Sequence, residues 1–147
     1  MSDLSLRRVS GDALSAAQLY AILRVRADVF VVEQHCAYLD PDGRDLETST
    51  THLWLAADDA PDDIASYLRV LAEPAGGNRI GRVLTPLAHR GRGLAGRLVD
   101  ASLEGTERPV LLDAQSHLVE LYERHGFVVD GSEFLEDEIP HTPMRLA

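Results

Sequence analysis

The apolar positions of this chain change their period several times, and each change marks an element. Residues 4–9 read as a short strand. Ser15-Ala-Ala-Gln18 has the form of a capping box, in which the serine hydroxyl and the glutamine side chain satisfy each other's free backbone N–H groups, and it opens a helix. Leu19, Ile22, Leu23, Arg26 and Phe30 follow at helical spacing, so they share one face. A charged Arg26 on that face needs a carboxylate partner at the rim of the core. Residues 36–50 read as loop, with Asp40-Pro-Asp-Gly-Arg-Asp45 as a solvated acidic segment. It is no calcium loop, because its glycine stands fourth rather than sixth and its twelfth position is Thr51 instead of Glu.

Further along, residues 52–57, with Trp54 inside, and residues 64–71 read as two strands of a hairpin, joined by an acidic turn holding Pro61. Residues 79–84 form the next strand, with Arg79 and Gly81 against Ile80 and Val83. Residues 93–103 read as a helix with Leu94, Leu98 and Val99 inward. The unbroken apolar run at 109–112 suits a strand buried on both faces. Residues 117–125 read as a helix closed by Gly126 as its C′ glycine, and 127–129 and 142–146 as two late strands. The order β, α, βββ, α, β, α, ββ predicts an α/β fold on a mixed sheet.

Composition narrows the function. A chain of 147 residues predicts one domain, residues 1–147, and 45% hydrophobic residues suffice for its core. The longest aliphatic or aromatic run, Val29-Phe-Val-Val32, is far short of the ~20 residues that span a bilayer, and residues 1–10 hold no secretory apolar stretch. The lone Cys36 excludes an internal disulfide and a cysteine-based zinc site, and it suits a reducing cytoplasm. A net charge of −10 argues against nucleic acid or an anionic membrane as partner. All 14 bases are arginine, which removes Walker-A, kinase-type and Schiff-base lysine chemistry. Five of them, Arg79, Arg82, Arg90, Arg92 and Arg97, fall in one window without an acid, so the remainder carries −15. A basic, glycine-rich stretch in an acidic chain points to a small polyanion.

That stretch, Arg90-Gly-Arg-Gly-Leu-Ala-Gly96, lies between a strand and a helix. Glycines let the backbone approach a ligand, and a helix start offers free N–H groups and a partial positive charge to phosphate. Gly91-x-Gly93-x-x-Gly96 literally matches the dinucleotide fingerprint of an oxidoreductase, with Asp113 near the distance of a ribose-binding acid. That fingerprint, however, turns tightly off a first strand, whereas here residues 85–90 and several strands come before it.

A second reading uses more of the chain. Arg90-x-x-Gly93-x-Ala95 resembles the acetyl-CoA pyrophosphate loop of GNAT-type N-acetyltransferases. Arg82-Val-Leu-Thr85 resembles that family's fourth strand, with Thr85 where valine is usual. Gln115 and Leu121-Tyr-Glu-Arg-His-Gly-Phe127 resemble its second motif, with glutamine where asparagine is common. Arg26-Ala-Asp-Val-Phe-Val-Val-Glu-Gln34, Asp42-Gly43, Ala114-Gln-Ser-His117 and Glu136-Asp-Glu-Ile-Pro-His141 look like the ElaA-like branch. The resemblance runs from about Leu19 to Arg145 and implies the GNAT fold, a mixed, mostly antiparallel sheet flanked by helices.

It also implies transfer of an acetyl group from acetyl-CoA to a small-molecule or peptide amine, without a metal. The backbone of Gly91, Arg92, Gly93, Leu94, Ala95 and Gly96, beside Arg90, would hold the pyrophosphate. The strand edge at Val83, Leu84 and Thr85 would pair with the amide-rich pantetheine arm, with Gln115 beside the cleft. A backbone N–H near Leu84 would stabilise the carbonyl oxygen as it gains charge. Tyr122 falls where the family carries the acid that protonates the leaving thiolate. An alkylammonium acceptor with pKa near ~10.4 must first lose a proton. His141 and Glu33 are the foremost candidates on the acceptor side, with His35 and His117 behind them. Cys36 reads as an inert loop thiol. A homodimer is a frequent assembly of such folds, and a CoA-binding sensor without turnover is the alternative function.

Overall fold

The computed structural model describes residues 3–147. Strand β1 (Leu4–Ser10) leads to helix α1 (Ala16–Arg26), which continues without a break into a π-helical segment (Ala27–Glu33). Strands β2 (Thr51–Ala57), β3 (Ser66–Ala72) and β4 (Asn78–Leu84) follow, then helix α2 (Leu94–Leu103), strand β5 (Val110–Gln115) and helix α3 (Val119–Glu123). The chain ends in β6 (Val128–Val129), β7 (Phe134–Glu136) and β8 (Ile139–Leu146). The strands form one sheet in the order β1-β2-β3-β4-β5-β8-β6, with β7 also on β8. Every pairing is antiparallel except β4 with β5. This is the mixed, mostly antiparallel sheet of the GNAT fold.

Alternation along the strands sorts side chains to two cores. Leu53, Leu55, Leu68 and Val70 pack with Leu94, Leu98 and Val99 of α2 on one face. Trp54, Ala56 and Tyr67 pack with Ile22 of α1 and Val29 and Phe30 of the π-segment on the other. Helices therefore cover both faces, and β3 is buried along nearly its whole length. The predicted capping box is present: Gln18 N–H donates to Ser15 Oγ at 3.1 Å, and Ser15 N–H to Gln18 Oε1 at 2.9 Å.

Three expectations are corrected. The first helix does not run on as α-helix to Phe30; from Ala27 it widens, and Gln34 N–H reaches the Val29 carbonyl, five residues back, at 3.0 Å. Arg26, Val29 and Phe30 are all buried. The last strand starts at Ile139 rather than Thr142, and β7 was not expected. The third correction concerns residues 36–50. Asp40 and Asp45 are not solvated but about 5% exposed, as partners of arginines beneath the sheet.

Candidate active site

Strands β4 and β5 run side by side for only two residue pairs, Asn78 with Val110 and Arg79 with Leu111. Beyond Arg79 they part, and the β5-facing edge of β4 has no strand partner among the described residues. The other edge is interrupted as well. Tyr67 pairs with Leu84 and Arg69 with Gly81, so β4 carries one residue more than β3 across this interval. The extra residue is a bulge at Arg82, whose φ of +54° is left-handed, uncommon for a side chain larger than glycine. The bulge flips the alternation. Ile80 and Val83, three residues apart, share the α2-side core, while Leu84 belongs to the other. Backbone at Arg82 and Val83 therefore lacks ladder partners on both sides. A cleft of about 730 Å³ opens between the parted strands.

Of the predicted cofactor residues, Val83, Leu84, Thr85, Arg90, Ala95 and Gln115 line this cleft. Gly91, Arg92, Gly93, Leu94 and Gly96 are not in its walls; they carry the chain from Arg90 into the first turn of α2. Gly91 and Gly93 have φ of +81° and +70°, with open space where a Cβ would stand. Conformation, rather than crowding, calls for glycine there. Gly93 is the N-cap of α2 and offers no capping side chain, so the first N–H groups of the helix are left for another acceptor. The side chain of Leu94 is buried in the core, leaving its backbone for a ligand. Gly96 differs again, because a Cβ there would meet His125 Nε2 at 3.5 Å.

Three of the five window arginines are already paired with carboxylates from distant elements. Arg79 meets Asp113 at 3.1 Å and also Glu73, while Arg82 meets Asp40 at 2.9 Å. Arg90 holds both oxygens of Glu33, at 2.6 and 2.7 Å, and donates Nε–H to the Thr85 carbonyl at 2.8 Å. The uncompensated charge beside the helix start is thus Arg92 and Arg97, which have no carboxylate partner among the described residues. Asp113, the ribose-binding acid of the dinucleotide reading, is committed to Arg79.

Tyr122 lies in the cleft wall, 4% exposed, and burial pushes its phenol up to about 12. Its position is fixed by the end of α3. Phe127 N–H donates to the Tyr122 carbonyl at 3.2 Å and Gly126 N–H to that of Glu123 at 3.0 Å. This is the Schellman pattern with Gly126, φ +94°, as the expected C′ residue. The Phe127 ring then stands edge-on to Tyr122, with centroids 6.2 Å apart.

His141 on β8 pairs directly with Gln115 on β5. Its Nδ1 lies 2.8 Å from the Ile139 carbonyl. A carbonyl only accepts, so Nδ1 carries the proton and Nε2 keeps its lone pair. The ring stacks on Phe134, centroids 5.8 Å apart, and Nε2 is 3.8 Å from Glu136. His117 also lines the cleft, whereas His35 is exposed and outside it. Glu33 lines the cleft, and its hydrogen bonds from Arg90 hold its carboxyl below the usual range. Cys36 is buried, and burial first, then Asp137 and Glu136, push its thiol up, which leaves it unreactive.

Sequence reasoning missed the polar floor of this face. Arg26, fully buried, donates Nε–H to Asp40 at 2.8 Å, and other guanidinium N–H groups to Asp45 at 2.6 Å and the Asp40 carbonyl at 2.9 Å. Arg69 donates to Asp45 at 2.9 Å and to both oxygens of Asp42. The hydrogen bond from Arg69 holds Asp42 well below the carboxylate range. Burial pushes Asp45 up, but Arg26 and Arg69 together bring it below its ordinary value. The available signal was Arg26 on an apolar face and Arg69 within a buried strand. Both needed carboxylates, and the acidic loop at 40–45, one of two acidic segments between them in sequence, holds three.

A splayed parallel strand pair beside an uncapped helix start defines an acyl-CoA-type transferase fold. The profile of the acetyltransferase (GNAT) domain matches residues 24–147. The UPF0039 protein of Mycobacterium tuberculosis is 47% identical over 144 residues, covering 95% of this chain and 91% of its own. The crystal structure of an acyl-CoA N-acyltransferase from Pseudomonas aeruginosa superposes with a TM-score of 0.90 at 40% identity, covering 99% and 100% of the two chains. ElaA of Escherichia coli is 38% identical over 143 residues, with 89% and 88% covered, and its crystal structure gives a TM-score of 0.89 over 97% and 99%. The chain belongs to the GNAT N-acyltransferase family and is ElaA-like.

Proposed function

We propose that this chain moves an acetyl group from acetyl-CoA directly to the amine of a small molecule or peptide, in the cytoplasm. The observation that carries this reading is the parting of β4 and β5 after Arg79, which frees a strand edge beside the uncapped start of α2. The diphosphate accepts hydrogen bonds from the backbone of residues 91–96. The pantetheine arm pairs along the free edge at Val83, Leu84 and Thr85 and brings the thioester to the bulge. Gln115 borders the same space.

His141 Nε2 takes a proton from the acceptor ammonium, and the neutral nitrogen attacks the thioester carbon. The carbonyl oxygen gains charge and is stabilised by backbone N–H near Leu84. As the C–S bond breaks, the thiolate takes the hydroxyl proton of Tyr122, and the proton that the attacking nitrogen sheds in becoming an amide returns through solvent to the Tyr122 oxygen. Burial raises the phenol's pKa, so it is protonated at neutral pH and has a proton to give. Glu33 acts through Arg90, holding it against the Thr85 carbonyl at the head of the phosphate loop. Its lowered pKa makes it a poorer base than His141.

Thermal shift with acetyl-CoA, CoA and NAD tests the cofactor, and CoA release across a panel of primary amines tests turnover. Stabilisation by acetyl-CoA and CoA with release on at least one amine is the expected result. Stabilisation by NAD alone removes the reading, and CoA binding without any turnover replaces it with a binding module.

A further inference from the structure

Arg82 is the one residue of β4 in the left-handed region, and it sits where the strand has no ladder partner. A side chain there is strained unless its surroundings hold it. The holding group is Asp40. Its Oδ1 accepts from Arg82 Nε at 2.9 Å and from Tyr38 Oη at 2.5 Å, while its carbonyl accepts from Arg82 at 3.1 Å. The Arg82 guanidinium also lies over the Tyr38 ring, 5.3 Å from its centroid. Asp40 is itself fixed from behind by fully buried Arg26, through its other carboxylate oxygen and again through its carbonyl. Such a two-sided, charge-assisted clamp on a bulge in the cleft wall exceeds what a surface ion pair requires.

We propose that Arg82 is a positioning residue for acyl transfer, a reading that rests on the acetyl-CoA function proposed above. Clamped by Asp40, it keeps β4 in the bulged form that turns the N–H groups of Val83 and Leu84 toward the thioester carbonyl. The guanidinium itself touches no reacting atom. Because Tyr38 and Asp40 belong to the segment 34–50, that segment and the carbonyl-stabilising strand are one rigid unit.

The test uses amide NMR spectra of the whole isotope-labelled chain as wild type, Arg82→Ala and Arg82→Gly, each titrated with acetyl-CoA and with CoA. In the wild type, the Val83 or Leu84 amide shifts further with acetyl-CoA than with CoA, whose pantetheine arm lies along the same edge, and the amides of residues 91–96 respond alike to both. Arg82→Ala loses the first response and keeps the second. Arg82→Gly recovers the first, because glycine takes the left-handed conformation without a clamp. With an amine that supports turnover, kcat of Arg82→Ala falls on the order of tenfold or more, the KM for acetyl-CoA stays within about twofold, and Arg82→Gly restores much of kcat. The inference is overturned if the Val83 and Leu84 amides do not distinguish acetyl-CoA from CoA in the wild type. It is equally overturned if they respond in Arg82→Ala as in wild type, or if Arg82→Gly behaves like Arg82→Ala. Silence of residues 91–96 in the wild type instead overturns the acetyl-CoA reading itself. Should Arg82→Ala lose its dispersed spectrum, Arg82→Lys takes its place. It keeps a charge for Asp40 but cannot bridge carboxylate and carbonyl.

Discussion

The Tyr122 ring is buried and held by the end of α3 and by Phe127, while its residue lines the cleft and its hydroxyl has no protein hydrogen bond among the described residues. Its removal therefore separates chemistry from stability. Tyr122→Phe is expected to lower kcat by on the order of 10²-fold, within the range of a lost general acid. The urea midpoint should stay nearly unchanged, since deleting a hydroxyl without a protein partner breaks no hydrogen bond. A fall in stability with unaltered turnover would remove Tyr122 from the mechanism. His141→Asn makes the matching case for the base, because its side-chain amide can still donate to the Ile139 carbonyl while the ring Nε2 is gone. Turnover should drop by about two orders of magnitude with little change in stability. At Gly93, φ of +70° with no neighbour around a Cβ means that Asp fits sterically and is among the residues tolerated there. Gly93→Asp should leave the fold intact, at a cost of about 1 kcal/mol, and weaken acetyl-CoA binding more than tenfold by calorimetry through charge repulsion.

At the level of elements, the structure departs from regular periods in two places, and both border the cleft. The π-segment follows directly on Arg26, and its Val29 and Phe30 are buried beside that arginine. The β4 bulge moves Ile80 and Val83 onto one core and Leu84 onto the other. Between them, residues 34–50 supply the carboxylates that both arginine-bearing elements need. Asp45 joins α1 to β3 by bridging Arg26 and Arg69. Asp45→Asn is expected to destabilise the protein by roughly 3 kcal/mol, the scale of a broken buried pair, read as a lower urea midpoint. Replacing an exposed pair partner such as Asp58 should change it by well under 1 kcal/mol. Equal effects at the two sites would show that the buried network carries no special weight.

Over the whole molecule, charge and burial set the response to pH. His52 Nε2 faces the Asp45 carbonyl at 2.8 Å and must be the protonated nitrogen, so Nδ1 accepts the Tyr67 hydroxyl at 2.7 Å. Burial lowers its pKa below the ordinary 6.5. The unfolded chain therefore binds a proton at 6.5 that the folded chain refuses, and stability falls as pH drops through that value. A second decline begins near 3.8, where the unfolded chain protonates carboxylates that Asp42 and Asp45 keep ionised in the fold. Each stage has a slope of up to about 1.4 kcal/mol per pH unit per proton. Urea unfolding from pH 8 to pH 4 should show the first stage in the wild type and not in His52→Gln. The net charge of −10 attracts cations at long range, and salt weakens this.

What local chemistry dictates was legible in the chain. The Ser15 capping box, the Gly126 turn that orients Tyr122, the glycines at 91 and 93 and the order of elements rest on interactions within a few residues, which the sequence states directly. Even the bulge left a trace, since Ile80 and Val83 read as one face although they stand three positions apart, an odd offset in a strand. Long-range electrostatics left none. The window of five arginines read as a free positive field, and folding brought Glu33, Asp40, Asp113 and Glu73 to three of them from other elements. The acidic loop read as solvated, because whether a carboxylate is buried depends on which cation lies across the core. Period, caps and turns follow from covalent neighbours; which charges meet, and where two strands part to admit a ligand, is decided only when distant segments are brought within a few ångströms.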